Sequence, residues 1–395
     1  MSPGLAKKRE RAQSKGKIFS TLHPRRLDFQ GDSRRRALRL ALGASALGLV
    51  MAPVAASAAT TPQKQLTLLQ QGLNFYKGKT ITLISPDAVG GGFDVMARAV
   101  APTMAAYLHA TINIQNDSPA NTVAGQDLME ASPADGLTIG MVNAGSDIED
   151  IVTGTPGVNF NPAKLQYLGG NNPNAGQGFE CLSSSGITNF AQVVHSTSPV
   201  SEVIVSTGTQ TLLLDLENAA FNLKTKIIGG YTNTAAQVAG QERGDGQCSV
   251  MGIGTAGYGP YIAAGKANLL LDDFPPNPAT AFYQYSTKAL SLTQAYKEFP
   301  SKTKTETLAR AALVAVAGHG VGHEFNAPAR TPAAQVAALR AAVQKALTTQ
   351  SVENRLLAQG QQNGWVTGPR AQQAYVSELA SLKPLSSLIK SALGV

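Results

Sequence analysis

Cysteine, tryptophan and histidine are scarce in this chain of 395 residues, which holds two, one and five of them. Two cysteines are too few for a four-thiolate zinc site or a disulfide-built scaffold. The phosphate-loop pattern G-x-x-x-x-G-K-[ST] is missing, and so is the G-x-S-x-G nucleophile elbow. A membrane span needs about twenty apolar residues, and the Ala/Gly-rich stretch from Leu40 to Val54 falls short of that. Positive charge is present but misplaced for nucleic acid. Residues 1–59 hold 12 Lys and Arg against 3 Asp and Glu, whereas the remainder holds 21 against 22. No basic domain follows residue 59, so nucleic acid is not an expected partner.

What the first 59 residues do contain is the make-up of an export leader. Ser33-Arg34-Arg35-Arg36-Ala37-Leu38-Arg39 precedes the short apolar stretch, and "AASAAT" at 55–60 offers small-residue cleavage sites after Ala58 or Ala59. The arginine pair is similar to the twin-arginine signal, with Ala37 where a bulky apolar residue is usual, so the twin-arginine and general secretory routes both stay open. A single membrane anchor is the alternative. The leader has no cysteine to carry a lipid. Cys181 and Cys248 are then a pair in an exported chain, either bridged or held as two separate buried thiols.

The mature part is long enough for two domains and a large core. Residues 60–74 read as a polar, flexible start. From Thr80 onward short β-branched runs alternate with helical segments, the pattern of a parallel α/β sheet. Strands are expected at 80–84 and 111–115, a turn, strand and glycine-bearing loop at 134–145, strand-loop-helix units at 201–221 and 226–240, and a strand ending in glycines at 248–257. Most of them end in a loop of small residues, and open α/β sheets bind ligands at that end of their strands. After the Pro-rich 272–280 the chain turns helical. Thr331-Pro332 opens a helix whose core face is Val336, Leu339, Val343 and Leu347.

The barest of these turns is "SPDAVGGGFDVMARAV" at 85–100. Gly90 and Gly92 match the first two glycines of G-x-G-x-x-G, but Val95 occupies the third position and the dinucleotide fingerprint fails. Asp94 is placed to cap a helix beginning at Val95, and the remaining first-turn amides suit an anion. "HGVGHEF" at 319–325 groups His319, His323 and Glu324, but the glycines at 318, 320 and 322 disfavour a helix that would present metal ligands. A loop with satisfied histidines is expected there, with no metal and no cofactor.

Five segments in order, "FYKGKTITLISPDAVGGGFDVMARAVAP", "ADGLTIGM", "VSTGTQT", "GGYTNTAAQVAGQERGDGQ" and "APARTPAAQVAALRAAVQKAL", resemble the periplasmic solute-binding components of tripartite tricarboxylate transporters, the Bug family. The resemblance is collinear from about Phe75 to about Tyr375. It implies an α/β, two-lobed type II periplasmic binding fold, with lobe 1 formed by residues 75–172 and 275–395 and lobe 2 by residues 173–274. It further implies a small organic acid held in the cleft by backbone amides and hydroxyls. The partners it implies are membrane transporter subunits or a sensor domain, and the receptor is expected to be a periplasmic monomer. Carried over by position, the ligand-binding residues are Asp87, Ala88, Gly91, Gly92, Phe93 and Asp94 on the first loop and Asn143, Ala144 and Gly145 after the third strand. In the second lobe they are Ser206, Thr207, Gly208, Thr209, Thr211 and Tyr231. Asp87 stands where the family usually has Phe, "SPANT" at 118–122 replaces a glycine-rich segment, and Gln210 and Ser249 are further departures. An exported enzyme acting through His319, His323 and Glu324 is the alternative.

Overall fold

The computed structural model describes residues 62–86, 88–117, 123–171, 177–205, 209–231, 234–252, 258–273, 289–317, 322–358 and 364–393. All of them lie in one compact unit, Ala59–Val395. The chain runs α1 (Pro62–Tyr76), β1 (Thr80–Ser85), α2 (Gly92–Leu108), β2 (Thr111–Asn116), α3 (Val123–Ala131), β3 (Thr138–Val142), α4 (Ala144–Thr153) and β4 (Gln166–Gly170). It continues as β5 (Gln177–Leu182), α5 (Phe190–Val194), β6 (Val200–Val205), α6 (Thr209–Phe221), β7 (Thr225–Tyr231), α7 (Thr234–Glu242) and β8 (Cys248–Gly252). Next come α8 (Gly259–Ala263), β9 (Ala267–Asp272), β10 (Leu290–Ser291), α9 (Leu292–Glu298) and α10 (Lys304–Ala317). The last elements are β11 (Glu324–Ala327), α11 (Ala333–Leu347), α12 (Gln350–Ala358), β12 (Val366–Thr367), α13 (Gly368–Leu382) and α14 (Ser386–Leu393).

Among the described residues the strands form two six-stranded sheets, β12-β4-β11-β3-β1-β2 and β10-β9-β5-β8-β6-β7. The expected parallel pairing holds at one end of each sheet, where β1 pairs with β2 and β3, and β6 with β7 and β8. Each sheet is nevertheless mixed, because β11 runs antiparallel to β3 and β4, and β5 antiparallel to β8 and β9. The physical reason is the route of the chain. Strand β5 arrives from the first sheet and β11 from the second, each entering at the edge where the parallel strands end, so each must run back down. The fold is therefore two-lobed, and the chain passes from the first sheet to the second after β4 and returns to the first at β11.

The first lobe buries Ile81 and Leu83 of β1 against Met96, Val100 and Met104 of α2 and the α11 face Val336, Leu339, Val343 and Leu347. The polar-looking start is helical over Pro62–Tyr76, packs against α11, and is pinned by Tyr76, whose hydroxyl donates to Gly136 O at 2.9 Å. In the second lobe β10, α9 and α10 all attach to β9 or α6, so the return crossing lies well after the Pro-rich stretch. Helix α6 is buried through Leu212, Leu213, Leu214 and Leu216 and packs against α10, α14 and α4. One apolar cluster consequently joins the two lobes, from Ile84, Val142 and Tyr167 to Phe179, Val250 and Leu271. No helix among the described residues is long and apolar enough to cross a membrane.

Cys181 and Cys248 are bonded across β5 and β8, where they are direct register partners. The next pair is hydrogen-bonded through Leu182 N–H to Gln247 O. The cysteines therefore fall on a non-hydrogen-bonded pair, where facing side chains come closest.

Candidate functional site

Strand register places the loops before any side chain is considered. Glu324 at the start of β11 lies opposite both Gly170 at the end of β4 and Val142 at the end of β3. With β1 next to β3, one edge of the first sheet presents, in order, Asn171, His323, Asn143 and the 86–94 turn. In the second sheet Gln177 at the start of β5 lies opposite Gly252 at the end of β8. The same edge therefore carries the ends of β6 and β7, and with them Tyr231 and the start of α6 at Thr209. Both crossings leave from these edges, and α4 of the first lobe packs on α6 of the second. Of the predicted loops, 88–94 and 143–145 thus lie at the strand ends of the first sheet, and Thr209, Thr211 and Tyr231 at those of the second.

The turn itself is built by Gly90 and Asp94. Gly90 has φ +87°, a left-handed conformation that L side chains adopt only at a cost. Gly91 N–H donates to Ala88 O at 3.0 Å, and Gly91 is the N-cap of α2. The helix therefore starts at Gly92, earlier than the expected Val95, and Asp94 sits inside its first turn. Asp94 is 1% exposed. Its Oδ2 accepts Gly90 N–H at 2.9 Å and Arg98 Nε at 2.8 Å, and its Oδ1 accepts Asn116 Nδ2 at 2.9 Å. Burial pushes this carboxyl up, but hydrogen bonds from Arg98, Gly90 and Asn116 and the Arg98 charge more than reverse it, leaving it below the ordinary aspartate value. Asp94 holds the turn from beneath.

After β3, Asn143 caps α4, its side chain accepting Ser146 N–H at 3.5 Å, with Ala144 and Gly145 buried in the first turn. Tyr231 ends β7, and its hydroxyl donates to Asp245 Oδ2 at 2.7 Å. Its ring lies where a Cβ on Gly240 would be, 2.3 Å from Cε1. Burial and the Asp245 hydrogen bond raise its pKa. Thr209 opens α6, and Thr211 is half-buried on that helix. Asp87, Asn121, Thr122, Ser206, Thr207, Gly208 and His319 lie outside the described residues. Ser249 is buried and accepts from Gln237 Nε2, which also donates to Val203 O at 2.8 Å.

His323 precedes β11; among the described residues, which do not include His319, no group of three metal-ligating side chains occurs. Burial pushes its imidazole down to about 4, so the ring is neutral. The ring meets Phe93 edge-on, with centroids 4.4 Å apart and planes at 69°. This contact joins residues 230 positions apart in sequence, and nothing in the local pattern announces it. A separate cavity of about 370 Å³, lined by His195, Phe221, Phe299 and Arg310, lies among α5, α6, α9 and α10, away from the predicted loops.

No family model matches the chain, and no curated protein matches it. Solved structures do. A TctC solute-binding protein from Polaromonas superposes with TM-score 0.59 and 16% identity, over 80% of this chain and 99% of that one. MatC from Rhodopseudomonas palustris, with bound malate, gives 0.57 and 18% over 78% and 99%. A second R. palustris protein, with adipate, gives 0.59 and 17% over 80% and 97%. The first of these is a solute-binding protein, and the likeness shows that this chain has the two-lobed periplasmic-binding-protein fold.

Proposed function

We propose that the chain is an exported solute-binding receptor that takes a small organic carboxylate between its lobes in the periplasm. It hands the ligand to a tripartite-type transporter or reports it to a sensor domain. The observation that supports this reading is the placing of helix starts after adjacent strands of each sheet: α2 and α4 in one, α6 and α7 in the other. Each helix N-terminus favours an anion by about 0.3–1 kcal/mol when exposed and up to about 2 when partly buried. Arg98, in the second turn of α2, is held by Asp94 and Asn116. Recognition then falls to backbone amides and small polar groups. In this reading Ala88, Gly91, Gly92, Phe93, Asn143, Ala144 and Gly145 bind from the first lobe, and Thr209, Thr211 and Tyr231 from the second. The malate and adipate of the neighbours fit a site of this kind. Asp87, in the same loop, favours a ligand that also carries an amino group.

A thermal-shift series of the purified protein against mono-, di- and tricarboxylates and acidic amino acids tests the reading. A carboxylate at a hundredfold its dissociation constant adds about 2.7 kcal/mol of stability and raises the melting temperature. A series in which no carboxylate moves it would contradict the reading, as would turnover of any acid that does bind.

A further inference from the structure

We propose that the cavity among α5, α6, α9 and α10 is a second ligand site, for a zwitterionic α-amino acid with an aromatic side chain. The proposal stands apart from the carboxylate reading of the strand ends and does not depend on it. At about 370 Å³ the cavity falls within the range of small-molecule sites. Its cation is Arg310. The guanidinium carbon stands 5.1 Å from the Phe221 ring centre and 4.9 Å from that of Tyr296. Its Nε donates to Ala220 O at 3.0 Å and its Nη2 to Phe299 O. Aromatic faces and carbonyls thus fix the fork, and three of its five N–H groups make no bond to the described residues.

Glu306 lies one turn earlier on α10 and lines the same cavity. Opposite charges at this spacing commonly pair, as Asp94 and Arg98 do at 2.8 Å. Glu306 and Arg310 do not pair. Glu306 turns back to accept Lys302 N–H, and Arg310 is held by the two carbonyls. A fixed anion and a fixed cation therefore border one cavity without meeting, a gap that an ammonium and a carboxylate on the same carbon can bridge. Glu298 and Lys302 also line the cavity, so carboxylates and basic side chains are matched in number, which suits a ligand of no net charge better than a dianion. The apolar lining is aromatic: Phe299 meets His195 edge-on, with centroids 5.8 Å apart and planes at 72°. Ring edges and faces of this kind favour an aromatic side chain on the ligand.

The test follows amide chemical shifts of the isotopically labelled full chain during titration with L-phenylalanine. The controls are 3-phenylpropionate, which lacks the ammonium, and phenethylamine, which lacks the carboxylate. Phenylalanine should move the amides of residues 191–195, 221–222 and 298–310 saturably at millimolar concentration and leave 90–94 in place. Each control should bind about tenfold more weakly, the scale of one lost charged hydrogen bond, and Arg310→Gln should weaken phenylalanine by a similar factor. Glu306→Gln keeps an acceptor for Lys302 N–H. It should weaken phenylalanine and strengthen 3-phenylpropionate, a reversal that damaged structure does not produce, and it decides the matter should Arg310→Gln fail to fold. Absence of saturable shifts at the cavity overturns the proposal, as do shifts centred on 90–94 instead. A 3-phenylpropionate that binds as tightly as phenylalanine, or an unchanged preference in Glu306→Gln, overturns the assignment of a zwitterion.

Discussion

Asp94 Oδ2 and the Gly90 N–H are 2.9 Å apart, so the carboxylate that looks like a helix cap in the sequence closes a loop around the turn in front of it. Replacing Asp94 with Ala leaves donors on Gly90, Arg98 and Asn116 without their acceptor. Such a loss typically costs about 1–3 kcal/mol, read as a lower midpoint in urea unfolding, and carboxylate affinity falls with it. The folded pKa is depressed. The contribution of Asp94 is therefore present above the unfolded aspartate value of about 3.9 and is lost as pH falls through the folded one. Unchanged stability of Asp94→Ala at neutral pH would contradict this role.

Gly90→Ala isolates backbone conformation from packing, because a Cβ there meets nothing within 4 Å and φ is +87°. The expected cost is about 1–2 kcal/mol, with Gly90→Asn losing less, since asparagine tolerates the left-handed region better. Equal losses for the two would show that the position is not read through its φ.

The seam between α4 and α6 is acidic and buried. Burial, with Asp150 and Asp215 nearby, pushes Glu149 up to about 8, and burial pushes Asp215 up to about 7. Glu202 beside Asp215 is raised as well. These carboxyls hold protons in the folded protein at pH values where the unfolded chain has released them. Their contribution to stability is therefore fully present below about pH 4, near the unfolded values, and is lost as pH rises through 7 and 8. Urea midpoints across that range should fall for the wild type and flatten in the Glu149→Gln/Asp215→Asn double variant. A wild-type profile that rises with pH would contradict the assignment.

The Cys181–Cys248 bridge spans 67 residues, for which the chain-entropy model gives about 4 kcal/mol. Reduction of the purified protein should add two hydrogens to its mass and lower its melting temperature. A mass unchanged by reductant would mean that the thiols are free.

The sequence made plain the features that depend on near neighbours. The β-branched run at 80–84 and the glycines behind it mark the strand and turn, and Val336, Leu339, Val343 and Leu347 mark the inward face of α11. Features fixed by distant partners stayed hidden. Asp94 turns inward because Asn116, on the neighbouring strand, and Arg98 hold it. Helix α6 is buried on most of its sides, so it has no amphipathic period to reveal its central place. Helix α1 reads as polar because its inward residues are few, among them Gly72 and Tyr76. His323 sits among glycines that suggest a bland loop, and its neighbour Phe93 comes from the far end of the chain.

Amide chemical-shift mapping of the isotopically labelled protein, titrated with malate and then with adipate, tests the central claim most directly. A bound carboxylate should move the amides of residues 90–94, 143–146 and 209–211 together, in both lobes and in saturable fashion. Shifts confined to one lobe, or centred on the cavity around His195 and Arg310, would contradict the account.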